Sequence, residues 1–165
     1  MSEDIQHHLI TTTAGLEDVV AHCLDQPVIA LDTEFMRTDT YYPVIGLAQL
    51  SDGHKCWLVD PLTLDLGPLR KLFESSVLHV LHACSEDLEV FLHVLGMVPT
   101  RLVDTQVAAA ILGDGFSLSY QAFVAAVLGI TLDKTETRSD WLARPLSDLQ
   151  RAYAAHDVVY LKRAW

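Results

Sequence analysis

The stretch Val28-Ile29-Ala30-Leu31-Asp32-Thr33-Glu34-Phe35 opens on four apolar residues and then places two acids one residue apart. A short apolar run of this kind reads as a buried strand, and its turn to carboxylates marks the end that meets solvent. Alternate residues of a strand share a face, so Asp32 and Glu34 point the same way, about 7 Å apart along the strand. Two like charges at the end of a core strand repel each other and are costly to desolvate. A divalent cation would remove both problems. A solvated strand end followed by a loop is the other reading, and the pair alone leaves both open.

Outward from this strand, residues 8–13 suit a short strand and 16–24 a helix, with apolar residues at 16, 19, 20 and 24. Residues 45–50 and 56–59 read as two more strands joined through the turn cluster Ser51-Asp52-Gly53-His54, and Asp60-Pro61 ends the second. A helix is predicted over 66–73 and a strand over 78–82. Another helix runs to Leu95, with Ser85 as its N-cap and Gly96 as its stop. From Val103 onward the pattern is helical, over 104–112, 118–128 and 147–164, with Asp104 capping the first of these. Early strands followed by helices predict an α/β domain, a mixed sheet covered by helices.

The 165 residues suffice for one domain, which at this size buries about 70% of its unfolded surface and needs no disulfide or metal staple. Half the residues are hydrophobic and 20% are charged, which excludes a disordered chain. The longest nearly unbroken apolar stretch, 122–132, holds Gly129 and Thr131 and is too short to span a membrane. Residues 1–10 are polar and carry Glu3 and Asp4, unlike a signal peptide. Cys23, Cys56 and Cys84 are odd in number and scattered, so reduced thiols in a cytoplasmic protein are expected. Eleven Lys and Arg against 22 Asp and Glu give a net charge of −11, which argues against a broad basic surface for nucleic acid. It leaves room for phosphates reached through bound divalent metals, because such a site requires carboxylates and inverts the local charge.

Two further acids sit where carboxylates are uncommon. Asp87 lies in the first turn of the helix after strand 78–82, with Val90, Phe91, Val94 and Leu95 at +3, +4, +7 and +8, so it shares the apolar face. An acid favoured by the helix dipole is the plainer reading, although Glu86 would serve that role equally well. On the last helix an inward stripe of Leu149, Ala152, Tyr153, His156, Tyr160 and Ala164 is expected, and Asp157 stands one turn beyond Tyr153. An acid there needs a cation or a hydrogen-bond network. A Tyr153 hydroxyl donating to Asp157 without any metal would also satisfy it.

Taken in order, D-x-E at the end of an early strand, an Asp opening a helix after a middle strand and Y-x-x-x-D on a late helix resemble the three motifs of the DEDD superfamily of 3′→5′ exonucleases, tyrosine subclass. The segments 30–35, Tyr41-Tyr42-Pro43, Leu81-His82-Ala83, 85–91, Leu132-Asp133-Lys134 and 139–146 look like the bacterial ribonuclease D family. The resemblance implies a ribonuclease H-like α/β fold and metal-dependent hydrolysis from the 3′ end. It implies single-stranded or 3′-tailed RNA such as transfer RNA precursors as the partner, 5′-mononucleotides as products, and no membrane. Asp32, Glu34, Asp87 and Asp157 become the carboxylates that converge on two divalent cations, Mg²⁺ or Mn²⁺, and Tyr153 orients the attacking water. His156 is a lesser rival, because the histidine subclass places its His four or five residues before the Asp.

Softer expectations attach to Phe35 and His82 as contacts of the terminal nucleotide, each with plain core as the alternative. Lys134 and Arg138, with Arg144, are phosphate contacts or a solvated loop. Gln49 is read as structural. Cys84, where relatives often carry Gly, is expected to narrow the pocket. The resemblance casts 1–165 as a single exonuclease domain, with the family's C-terminal helical RNA-binding domains outside this chain. A DNA exonuclease and a non-catalytic interaction domain on the same fold are the alternatives; the presence of all four acids and Tyr153 counts against the second.

Overall fold

The computed structural model describes residues 5–38, 40–132 and 139–165. The elements follow in the order β1 (His7–Ile10), α1 (Thr13–Leu24), β2 (Val28–Met36), β3 (Val44–Ser51), β4 (Cys56–Val59), α2 (Leu69–Phe73), β5 (Leu78–Leu81), α3 (Ser85–Leu95), β6 (Leu102–Asp104), α4 (Thr105–Leu112), α5 (Tyr120–Leu128) and α6 (Asp148–Ala164). The strands form one sheet in the order β1-β4-β3-β2-β5-β6. The β2–β3–β4 meander is antiparallel, while β1, β5 and β6 join in parallel. This is the mixed α/β sheet flanked by helices that the strand-then-helix pattern predicts.

Alternation along β2 divides the molecule into two cores. Ile29 and Leu31 face one side, where Leu16 and Val20 of α1, Leu69 and Leu72 of α2, and Val90 and Phe91 of α3 complete a buried cluster. Ala30 faces the other, with Leu47, Leu58 and Val80, under Phe123 of α5 and Ala154, Ala155 and Val158 of α6. The segment before α6 packs directly on β3. A Cβ on Gly46 would lie 2.5 Å from the Trp141 carbonyl oxygen, so only glycine fits there.

Several boundaries differ from the sequence expectation for local reasons. The first strand stops at Ile10, because Thr12 turns to cap α1, its side chain accepting from the Gly15 N–H. The short α2 begins only after Gly67-Pro68. Ser85 is the first helical residue of α3 rather than its cap; Cys84 holds the cap position without a side-chain hydrogen bond. Residues 102–104, read as the approach to a helix, form a sixth strand parallel to β5. Gly96 ends α3 as expected, at φ 70°. On α6 the inward stripe is turned round the helix from the expected one. Gln150, Ala154, Ala155, Val158, Val159, Tyr160 and Leu161 are buried, while Leu149 is 68% exposed. Among the described residues no helix is long and apolar enough to cross a membrane.

Candidate active site

A pocket of about 180 Å³ opens at the carboxyl ends of β2 and β5, lined by Asp32, Glu34, His82, Tyr120, Gln121, Tyr153, Asp157 and Leu161. Ligand sites in open α/β sheets form at these strand ends. Asp32 and Glu34 arrive from the α6 face of β2, just before a register shift against β3 between Glu34 and Phe35. Asp157 and Tyr153 come from α6, one turn apart, on the flank where its buried face gives way to the pocket. One carboxylate oxygen from each of Asp32, Glu34 and Asp157 lies within 4.8 Å of the other two.

Asp87 stands apart from that triad. It belongs to α3, which packs on the opposite face of the sheet, and its Oδ1 accepts from the Thr33 N–H at 3.1 Å and from the Thr33 hydroxyl. Thr33 is buried between Asp32 and Glu34 in sequence and turned away from them by the alternation of the strand. The four carboxylates thus form a close triad and a fourth acid, anchored through Thr33, whose charge acts on both Asp32 and Glu34.

The triad has no cation of its own: neither Lys nor Arg lines the pocket among the described residues. Burial pushes Glu34 up to about 9, and the charges of Asp157 and Asp87 add to it. Burial carries Asp157 to about 8, opposed by a hydrogen bond from the Tyr153 side chain. Asp32 is driven well above the carboxylate range by burial first, then by Asp87, Asp157 and Glu34. Burial lifts Asp87 to about 6 against the two hydrogen bonds from Thr33. Buried like charges without a counter-ion hold their protons more tightly or take up a cation. The three donors are carboxylate oxygens with no Cys or His among them, which suits a hard divalent ion and not zinc.

The softer assignments distribute as follows. His82 lines the pocket, and both its nitrogens are engaged within the protein: Nδ1 with Thr105 Oγ1 at 2.8 Å and Nε2 with the Leu118 carbonyl at 2.9 Å. Phe35 is half-buried against the core on the α3 side. Arg144, expected to be a phosphate contact or part of a solvated loop, is an internal strut. Its Nε and one terminal nitrogen each lie 2.7 Å from Asp60, and it also donates to the Gly46 and Trp141 carbonyls. Cys84 is buried in the core below α3 and does not line the pocket. Lys134 and Arg138 lie outside the described residues.

Three contributors were not singled out as site residues by sequence. Tyr120 and Gln121 enter the pocket because Ser119 caps α5, its hydroxyl accepting from the Ala122 N–H. The Tyr120 hydroxyl donates to the His156 carbonyl at 2.9 Å, tying α5 to α6 beside Asp157. Asp104 does more than cap α4. Besides accepting from the Gln106 N–H, it accepts from the Ala83 and Cys84 N–H groups at 2.9 Å each. It thus holds the turn through Ala83, at φ 55°, that delivers α3 and Asp87. The Ser119 and Asp104 cap signals are local and readable; the second partner set of Asp104 is not.

A model of a 3′-5′ exonuclease family matches residues 7–164. Ribonuclease D of Pseudomonas paraeruginosa is 56% identical over 142 residues, 85% of this chain and 38% of that protein. Ribonuclease D of Escherichia coli is 48% identical over 159 residues, 95% of this chain and 42% of that protein. The crystal structure of the latter matches this fold with a TM-score of 0.92. Trypanosoma brucei ribonuclease D in complex with RNA U12 matches with a TM-score of 0.84 at 25% identity, covering 96% of this chain and 60% of that one. The chain spans less than half the length of the curated relatives it matches.

Proposed function

The chain belongs to the 3′-5′ exonuclease family, and from that premise we propose that it is the catalytic domain, over 1–165, of a divalent-metal-dependent 3′→5′ exoribonuclease of the ribonuclease D type. The observation that carries this is the cationless triad: three carboxylate oxygens within 4.8 Å of one another at the strand ends, beneath a tyrosine bonded to one of them. Asp32, Glu34 and Asp157 would hold Mg²⁺ or Mn²⁺ directly, and Asp87, whose charge acts on Asp32 and Glu34, would help hold a second ion. Divalent cations there supply positive charge at the phosphodiester and make water acidic enough to attack near neutral pH.

The protein's own groups do the positioning. The Tyr153 hydroxyl, fixed by Asp157, orients the attacking water; a phenol is a poor base near neutral pH. The Tyr120 bond to the His156 carbonyl holds the α6 turn that carries Asp157. His82, on the pocket wall, flanks the terminal nucleotide. RNA with a free 3′ end, transfer RNA precursors among them, is the substrate, and the cytoplasm is the place of action.

The test is incubation with 3′-labelled single-stranded RNA and DNA and with circular RNA, with and without Mg²⁺ or Mn²⁺. The expected outcome is metal-dependent release of 5′-mononucleotides from linear RNA and none from the circle. Fragments from the circle would make the enzyme an endonuclease. Faster cleavage of DNA would reassign the substrate, and no cleavage of either by the full-length protein would leave a non-catalytic domain.

A further inference from the structure

Gln49 on β3 is completely buried, and neither its amide nitrogen nor its amide oxygen has a hydrogen-bond partner. Buried carboxamides are almost always satisfied, because burying one unpaired is costly. In the β2–β3 ladder Gln49 stands directly opposite Asp32. Opposed residues of an antiparallel pair put their side chains on one face, with Cβ atoms about 4.5–5.5 Å apart. Among its other ladder neighbours on that face only Glu34, diagonal to it, is acidic. Leu58 lies across on β4 and Leu47 two residues along β3. Ser51 is already used, donating to the Lys55 carbonyl and accepting from the Gly53 N–H. The α6 residues over this face include Ala154, Ala155 and Val158, all apolar. Asp32 is therefore the hydrogen-bonding side chain that the ladder places beside the amide.

We propose that Gln49 is a positioning residue for the cation site: its carboxamide N–H donates to the Asp32 carboxylate and fixes the orientation in which Asp32 ligates a divalent ion. An ionised carboxylate is the stronger acceptor, so the bond gains most when a cation keeps Asp32 charged. Groups that orient metal ligands in this way typically matter 10–100-fold in metal affinity. No other side chain and no backbone group pairs with the amide, so packing alone draws little from it. The inference rests on the cation-site reading above and extends it to a residue outside the pocket lining.

The experiment compares Gln49→Met, which keeps the volume and removes the amide, with Tyr160→Phe. The latter removes another unpartnered buried polar atom from the same core. Mn²⁺ affinity is measured by isothermal titration calorimetry and metal-free stability by thermal unfolding. Gln49→Met should weaken Mn²⁺ binding about 10–100-fold while leaving metal-free stability equal or higher, and Tyr160→Phe should leave the affinity unchanged. Wild-type affinity in Gln49→Met overturns the proposal, as does an equal loss in Tyr160→Phe. A Gln49→Met protein less stable without metal would show that the amide serves the fold itself and overturns it too. A wild-type protein that binds no Mn²⁺ removes the cation site along with the proposal.

Discussion

Asp60 and Asp157 are both carboxylates drawn out of water, and their surroundings are opposite. Burial works to raise Asp60, but the hydrogen bonds from Arg144 and the Leu62 N–H, with the Arg144 charge, hold it below the usual range. Its side chain is 4% exposed and its fork-to-fork pair with Arg144 spans 84 residues of sequence. Asp157 has the Tyr153 hydroxyl and two other acids for company and is held up at about 8. The first carboxylate is neutralised by the chain itself and serves the fold. The second is left for something from outside to neutralise. Burial alone does not separate a structural acid from a functional one; the presence or absence of an internal cation does.

Replacing each by Asn breaks this comparison most sharply. Asp60→Asn leaves Arg144 without its counter-ion and should destabilise the protein by about 3 kcal/mol, the scale of a broken buried pair. Asp157→Asn removes an acid that repels its neighbours once ionised above about pH 8, so at pH 9 the metal-free protein should melt no lower than wild type. Its activity should fall by at least the roughly 10²–10³ of one lost electrostatic contact, with Mn²⁺ binding weakened and not restored by excess. Thermal melts and metal titrations of the two variants check both signs. A destabilised Asp157→Asn would place that acid with Asp60, in the fold.

Tyr153→Phe sharpens the functional half. Metal affinity should change little, and kcat should drop by about 10²–10³, the usual cost of one positioned polar contact that matters most in the transition state. A fully active Tyr153→Phe would reduce the hydroxyl to a partner for a buried acid. The smallest effect belongs to Tyr120→Phe, which removes the hydroxyl's bond to the His156 carbonyl. A loss of about 1 kcal/mol in stability is expected from the missing bond, with turnover retained within an order of magnitude; steady-state kinetics beside a melt would reveal any larger catalytic role.

Much of this was legible in the chain. The strand of 28–35, the spacing of Tyr153 and Asp157, and the Asp104 cap are local patterns, and local patterns fix strand alternation, helix faces and caps. What escaped was set by distant partners. Strand β6 is three residues long and exists because β5 offers a parallel edge. The α6 stripe was misjudged because Gln150 is buried by its bonds to Ser139 and the Asp140 carbonyl while Leu149 faces solvent. Arg144 reads as a phosphate contact or a solvated loop residue because its partner Asp60 lies 84 residues away in sequence. The anchoring of Asp87 Oδ1 by Thr33 escaped for the same reason: the spacing of motifs gives their order, while the hydrogen-bond partner comes from a distant neighbour.

The most direct test is the melting midpoint at pH 6 and pH 9, without metal and with excess Mg²⁺, for wild type and Asp157→Asn. Acids whose folded values are raised contribute most to stability while protonated, and that contribution is lost as pH climbs through about 6 for Asp87, about 8 for Asp157 and about 9 for Glu34. Asp60, held low, contributes the opposite dependence only in acid, below this window. The metal-free wild-type midpoint should therefore fall from pH 6 to pH 9. Mg²⁺ should raise it more at pH 9 than at pH 6, and both effects should shrink in Asp157→Asn. A metal-free midpoint that holds steady across this range, or one that Mg²⁺ leaves unmoved at pH 9, would contradict a cation site built on Asp32, Glu34 and Asp157.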